Sequence, residues 1–140
     1  MRPPTWKPPT ELSPQEQIVA KRMRKAKLFL FLRQIRHSLF NEQFQQELAS
    51  KLFKDSTMGK CPVPPAQLVL FIIMQAYTGV SDDEALEAMV MDRRWQLLLD
   101  CIDCEQAPFG KGTLVRFRAA LIASGSDRSL IQQSLLQLLQ

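Results

Sequence analysis

One histidine, three cysteines, five glycines and a single tyrosine in 140 residues leave little from which to assemble a catalytic centre. His37 has no candidate nucleophile near it, so a Ser-His or Cys-His mechanism has little support. No glycine-rich phosphate loop is present. Cys101 and Cys104 have the CxxC spacing of a zinc half-site. A structural zinc ion needs four ligands, however, and the remaining Cys61 and His37 are distant and unpaired. Asp82, Asp83, Asp100 and Asp103 make a poor two-metal set: the first two serve a helix start, and no strand holds the others at the spacing two metals need. Long apolar runs are missing as well. The longest, Leu68 to Met74, is far short of the roughly twenty residues a bilayer span requires. Met1-Arg2-Pro3-Pro4 lacks the apolar stretch of a secretion signal, which predicts a soluble protein of the reducing cytosol.

What the chain does contain is ordinary in amount and unusual in placement. An apolar fraction of 46% with 23% charged residues suits one globular domain, or one domain and an arm. The net charge of +4 is mild. Up to His37, nine basic residues face only Glu11 and Glu16, a balance of +7; the remaining 103 residues hold nine basic and twelve acidic side chains, a balance of −3. The positive field is N-terminal, and a polyanion is its natural partner.

Residues 1–12 carry Pro3, Pro4, Pro8 and Pro9 and are expected to form a flexible proline-rich arm, with Trp6 either a docking point or exposed. Ser13-Pro14-Gln15-Glu16 is a strong helix start, with a capping serine, a proline at the first position and a glutamate able to close a capping box. The predicted helix carries the Lys21–Lys27 cluster and continues toward Phe40, with Leu28, Leu32, Ile35 and Leu39 on one face. The run Leu28–Leu32 also fits a strand; helix is preferred because no partner strand is visible. Asn41 caps a further helix with a Phe44, Leu48, Leu52 stripe, and 54–65 reads as a loop. Pro64-Pro65 then starts a helix that is apolar nearly all round and belongs at the centre of a core; Gly79 is placed to end it. Ser81-Asp82-Asp83-Glu84 is a second capping box, Asp92 caps a turn burying Trp95, Leu98 and Leu99, and Thr113 is expected to cap a helix facing inward with Leu114, Phe117 and Leu121 and stopped by Gly125. Residues 13–125 therefore read as an all-α, compact multi-helix domain with a helix-turn-helix-like arrangement. The apolar pattern from Leu130 to Leu139 ends without a stop signal, so 126–140 is expected to begin a helix leading toward a missing domain.

Short helices joined by tight turns, the last bearing arginines, are a common way to read double-stranded DNA. The cluster Lys21, Arg22, Arg24, Lys25 and Lys27, with Arg33 and Arg36, is the candidate phosphate-binding set. A solvated helix face is the competing reading, and the lack of any acid between Glu16 and Glu42 favours phosphate. Lys111, Thr113, Arg116 and Arg118 surround the start of the last helix, where residues reach base edges. The alternative there is pairing with surface acids, which spacing alone prefers. Arg93-Arg94-Trp95 invites base stacking, although a tryptophan among leucines at helical spacing is read as core.

The blocks Phe31–Phe40, Pro62–Pro65, Gln75–Asp82, Asp92–Gln96, Pro108-Phe109 and Gly112–Arg118, in this order, resemble the N-terminal domain of bacterial insertion-sequence transposases of the InsH type. The likeness runs from about Leu28 to the C-terminus and leaves out the proline-rich arm and the basic cluster. It implies a helical domain ahead of an RNase H-like catalytic domain of the DDE type. Such enzymes bind the terminal inverted repeats of their element and cut and join DNA with metal-bound acids. No carboxylate here matches that motif, so no catalytic residue and no cofactor is expected in this chain; the divalent metal belongs to the missing domain. The expected partners are duplex DNA, a second copy of the chain or the catalytic half, in a cytoplasmic, nucleoid-associated setting and without membrane. A subunit-pairing module and a nonfunctional remnant are the alternatives.

Overall fold

The computed structural model describes residues 4–25, 27–52 and 63–125. The expected loop over 54–65, as far as 62, and the expected helix at 126–140 lie outside the described residues. Among the described residues seven α-helices follow in order: α1 (Pro14–Arg22), α2 (Leu28–Leu39), α3 (Glu42–Leu52), α4 (Pro65–Thr78), α5 (Asp82–Met91), α6 (Arg93–Leu99) and α7 (Lys111–Ser124). Among the described residues there is no strand, so the fold is all-α.

The apolar helix α4 sits at the centre, with Leu68, Leu70, Phe71 and Met74 fully buried. It packs on α3 and α6, while α6 packs on α1, α2 and α5, and α7 leans on α3 and α5. Trp95 joins the layers: its ring lies 5.7 Å from Phe29 of α2 and 5.6 Å from Phe71 of α4. Phe109 meets Phe71 edge-on at 5.1 Å, an arrangement that suits the ring quadrupoles. Trp95 is thus core, as its leucine neighbours predict. Buried Gln67 donates to Leu99 O at 2.7 Å and satisfies a carbonyl at the end of α6.

The caps are where local chemistry puts them. Ser13 Oγ accepts from Glu16 N and Glu16 reaches back to Ser13 N, closing the capping box. Asn41 Oδ1 accepts from Phe44 N at 2.8 Å, and Asp92 Oδ1 accepts from Arg94 N at 2.9 Å. Gly79, at φ 72°, ends α4 in the left-handed region. Ser81 accepts from Glu84 N, but the Glu84 carboxylate accepts a hydrogen bond from the Ser81 hydroxyl, not from the backbone N–H of a full box.

Three expectations need correction. The helix begun at Pro14 does not run on to Phe40. Met23 turns to extended backbone at ψ 111°, and a new helix starts at Leu28. Five cations at spacings of three and four would repel along one continuous helix, and the break also lets Val19 and Met23 bury. Secondly, α7 starts two residues before Thr113, with Gly110 at its N-cap and Leu114 N bonded to Gly110 O, so Thr113 lies inside the helix and caps nothing. Thirdly, the described part of the proline-rich arm is docked. Trp6 is buried, its N–H and carbonyl are both held by the Gln45 side chain at 2.6 and 2.8 Å, and its ring faces Phe40.

Candidate nucleic-acid interface

The break between α1 and α2 opens a cleft of about 320 Å³. Ile18, Val19 and Met23 form its apolar floor, and Arg22, Arg24 and Lys25 line it from one side. Arg93 and Arg94, from the first turn of α6, line the other. Lys21, Arg22, Arg24, Lys25 and Lys27 are all exposed, and none forms an ion pair with a described residue. Like charges held this close concentrate a positive potential that an anion relieves.

The two α6 arginines differ. Arg94 chelates Asp92 through Nε (3.1 Å) and Nη2 (2.7 Å) and lies over the Phe29 ring, so it is already engaged. Burial pushes the Asp92 carboxyl up, but Arg94 outweighs it and the carboxyl titrates below its ordinary value. Arg93 has only a 3.7 Å contact with Asp103, with 65% and 52% of the two side chains exposed. A solvent-screened pair of that kind holds an arginine weakly. Arg93 therefore joins Arg22, Arg24 and Lys25 as a fourth available cation lining the cleft. Its sequence distance of some seventy residues from the cluster hides this; the one signal is the Arg-Arg pair directly after a helix cap.

Arg33 and Arg36 leave the phosphate-binding set. Their exposures are 1% and 2%, among the lowest of any charged groups in the described chain. Arg33 donates Nε to Glu16 at 3.0 Å and its two Nη groups to the carbonyls of Thr10 and Glu11. Arg36 donates to the carbonyls of Leu97, Leu98 and Pro9 and sits 5.4 Å from the Trp6 ring centre. Its Nε is the one buried side-chain nitrogen or oxygen without a partner among the described residues. Burial first, and then the charge of Arg33, lowers Arg36 to about 10, so it stays cationic at neutral pH. Burial raises the Glu16 carboxyl, but hydrogen bonds from Arg33 and Ser13 overcome this and hold it below its ordinary value.

The α7 group is divided. Arg118 forms a two-pronged pair with Asp82 at 2.9 and 3.1 Å and also donates to Gln75 Oε1 at 2.8 Å. Gln75 closes the triangle by donating to Asp82 Oδ1 at 2.7 Å. The Arg118 and Gln75 hydrogen bonds hold the Asp82 carboxyl below its usual range. Lys111 meets Asp83 at 3.2 Å in solvent, and Thr113 is half-buried. Arg116 is exposed and has no ion pair among the described residues; its guanidinium folds back over Gly112, where an added Cβ would lie 3.2 Å from Nη1. The surface-pairing reading thus holds for Arg118 and Lys111, and Arg116 alone is left available.

No group of three or more His, Cys, Asp or Glu among the described residues is placed to hold a metal. Burial, with Cys104 beside it, pushes the Cys101 thiol up to about 12, which disfavours the thiolate a metal or a nucleophilic reaction needs. No helix among the described residues is long and apolar enough to cross a membrane.

The fold and its cleft thus define an all-helical domain with an unneutralised cationic surface. Residues 16–120, 105 of the 140, match the family described as Transposase domain (DUF772), and the chain belongs to that family. The match runs from the first turn of α1 into the last turns of α7, and so takes in the whole cleft. Membership ties the chain to transposition. No curated protein and no solved structure matches it significantly.

Proposed function

We propose that this chain is the DNA-binding N-terminal region of an insertion-sequence transposase of the InsH type. It grips the terminal inverted repeats of its element, and the strand-transfer chemistry belongs to a DDE catalytic domain. The observation that carries the reading is the cleft: Arg22, Arg24 and Lys25 line it together with Arg93, exposed Lys21 and Lys27 neighbour them in the sequence, and none has a strong acidic partner among the described residues, in a chain of a transposase family. Lys21, Arg22, Arg24, Lys25, Lys27 and Arg93 bind phosphates and position the duplex; Arg116 is the candidate base reader. No residue of the chain is assigned to the catalytic metal.

The test is anisotropy binding to a duplex of the element's own ends, set against a scrambled duplex at moderate salt. Tighter binding to the ends is expected, and Arg116→Ala should weaken that complex by roughly 1–3 kcal/mol while leaving the scrambled one nearly unchanged. Equal affinity for both duplexes would remove sequence recognition.

A second reading, subunit pairing, is favoured by one feature. Val115 and Ile122, seven residues apart on α7, are 48% and 62% exposed, with Ala119 exposed between them. If α7 pairs subunits, light scattering will show a dimer that Val115→Asp with Ile122→Asp converts to monomer without loss of duplex binding. A monomer at all concentrations, with and without DNA, rejects it.

A further inference from the structure

The two walls of the basic cleft are α1 and the first turn of α6. At nine residues, α1 is too short to keep its helix or its direction in water unaided. Arg33 of α2 fixes its first turn through the 3.0 Å bond to Glu16. One turn further along α2, Arg36 reaches the far end of the helix that carries the opposite wall, bonding Leu98 O at 2.7 Å and Leu97 O at 3.2 Å, the free carbonyls at the end of α6. The same two guanidiniums hold the docked N-terminal strap through the carbonyls of Pro9, Thr10 and Glu11.

We propose that Arg33 and Arg36 are positioning residues for the basic cleft, and that the docked strap keeps them in place. The inference rests on the cleft being the DNA site. Removing the strap takes away three carbonyl acceptors at a site where Arg36 Nε already lacks one and where two buried cations face one buried carboxylate. A buried, unpartnered guanidinium is costly, and turning outward to water relieves it. That movement breaks the ties to α1 and α6 and lets Lys21 and Arg22 drift away from Arg93. The strap thus governs DNA binding from a place outside the cleft.

The test compares the intact chain with one lacking residues 1–11, by amide hydrogen exchange and by the salt dependence of duplex binding. Loss of the strap should lower protection of the α1 amides at least about ten-fold while α4 and α7 keep theirs, as expected of local opening. The log-log salt slope should shrink by about 2 as two phosphate contacts are lost. A peptide of residues 1–12 added in trans should restore both, and so should the same peptide with Arg2→Ala and Lys7→Ala; one with Trp6→Ala should not. Unchanged α1 protection and slope overturn the proposal, as does equal restoration by the Trp6→Ala peptide. If the shortened chain does not fold, Glu16→Gln combined with Arg33→Met removes the tie without leaving either partner of the pair as an unmatched buried charge, and the same unchanged readouts overturn it. An intact chain that binds no duplex removes the DNA reading alone, and exchange then decides the positioning role.

Discussion

Arg118 and Arg24 carry the same charge and do opposite things. Arg118 is fixed between Asp82 and Gln75 and braces α7 against the α4–α5 turn. Arg24 faces solvent without an ion-pair partner among the described residues. Arg118→Met should therefore destabilise the domain by about 1 kcal/mol, discounted for partial exposure, and leave duplex affinity nearly unchanged. Urea unfolding and a binding isotherm together check this. The Asp82 carboxyl is held below its ordinary value, so its contribution is complete above the unfolded pKa and disappears as pH falls through the lower folded one. The gap in stability between the parent and Arg118→Met should be steady at neutral pH and close in strong acid. A gap that persists after the carboxyl is protonated would mean that Arg118 acts by packing. Charge in the sequence does not tell these arginines apart, because both kinds stand beside apolar neighbours. Arg33 and Arg36 did leave a trace: with Phe29, Leu32 and Phe40 they fall at offsets of four and seven on the buried stripe of α2, and Glu16 is the nearest upstream acid.

At the scale of elements, what was legible is what short-range chemistry decides. Ser13, Asn41, Gly79, Asp92 and Gly125 each mark a helix end through their own side chain or their own left-handed backbone. The all-round apolar run of α4 left it no place but the centre. The break after Arg22 was not legible, since helical spacing continues through it and the gain comes from burying Val19 and Met23. Likewise, no local rule foretells that a proline-rich arm finds Gln45, thirty-nine residues away, to satisfy Trp6. Because α1 is short and capped by a complete box, Ser13→Ala should cost about 1 kcal/mol. Hydrogen exchange should place that loss in α1 before α4. Uniform loss across all helices would show that α1 unfolds only with the whole.

For the whole molecule, the positive excess before His37 looks smaller once two of its arginines are seen to be buried, and larger once Arg93 arrives from α6 to face the rest. The fold converts a charge run into a cleft with two walls, in a chain that belongs to a transposase-domain family. The most direct measurement is the salt dependence of duplex binding by the intact chain, beside a variant with Arg22, Arg24 and Lys25 changed to alanine. Six phosphate contacts predict a log-log slope of about −5.4 for the intact chain and about −2.7 for the variant. A variant slope equal to that of the intact chain would contradict the assignment of DNA binding to this cleft.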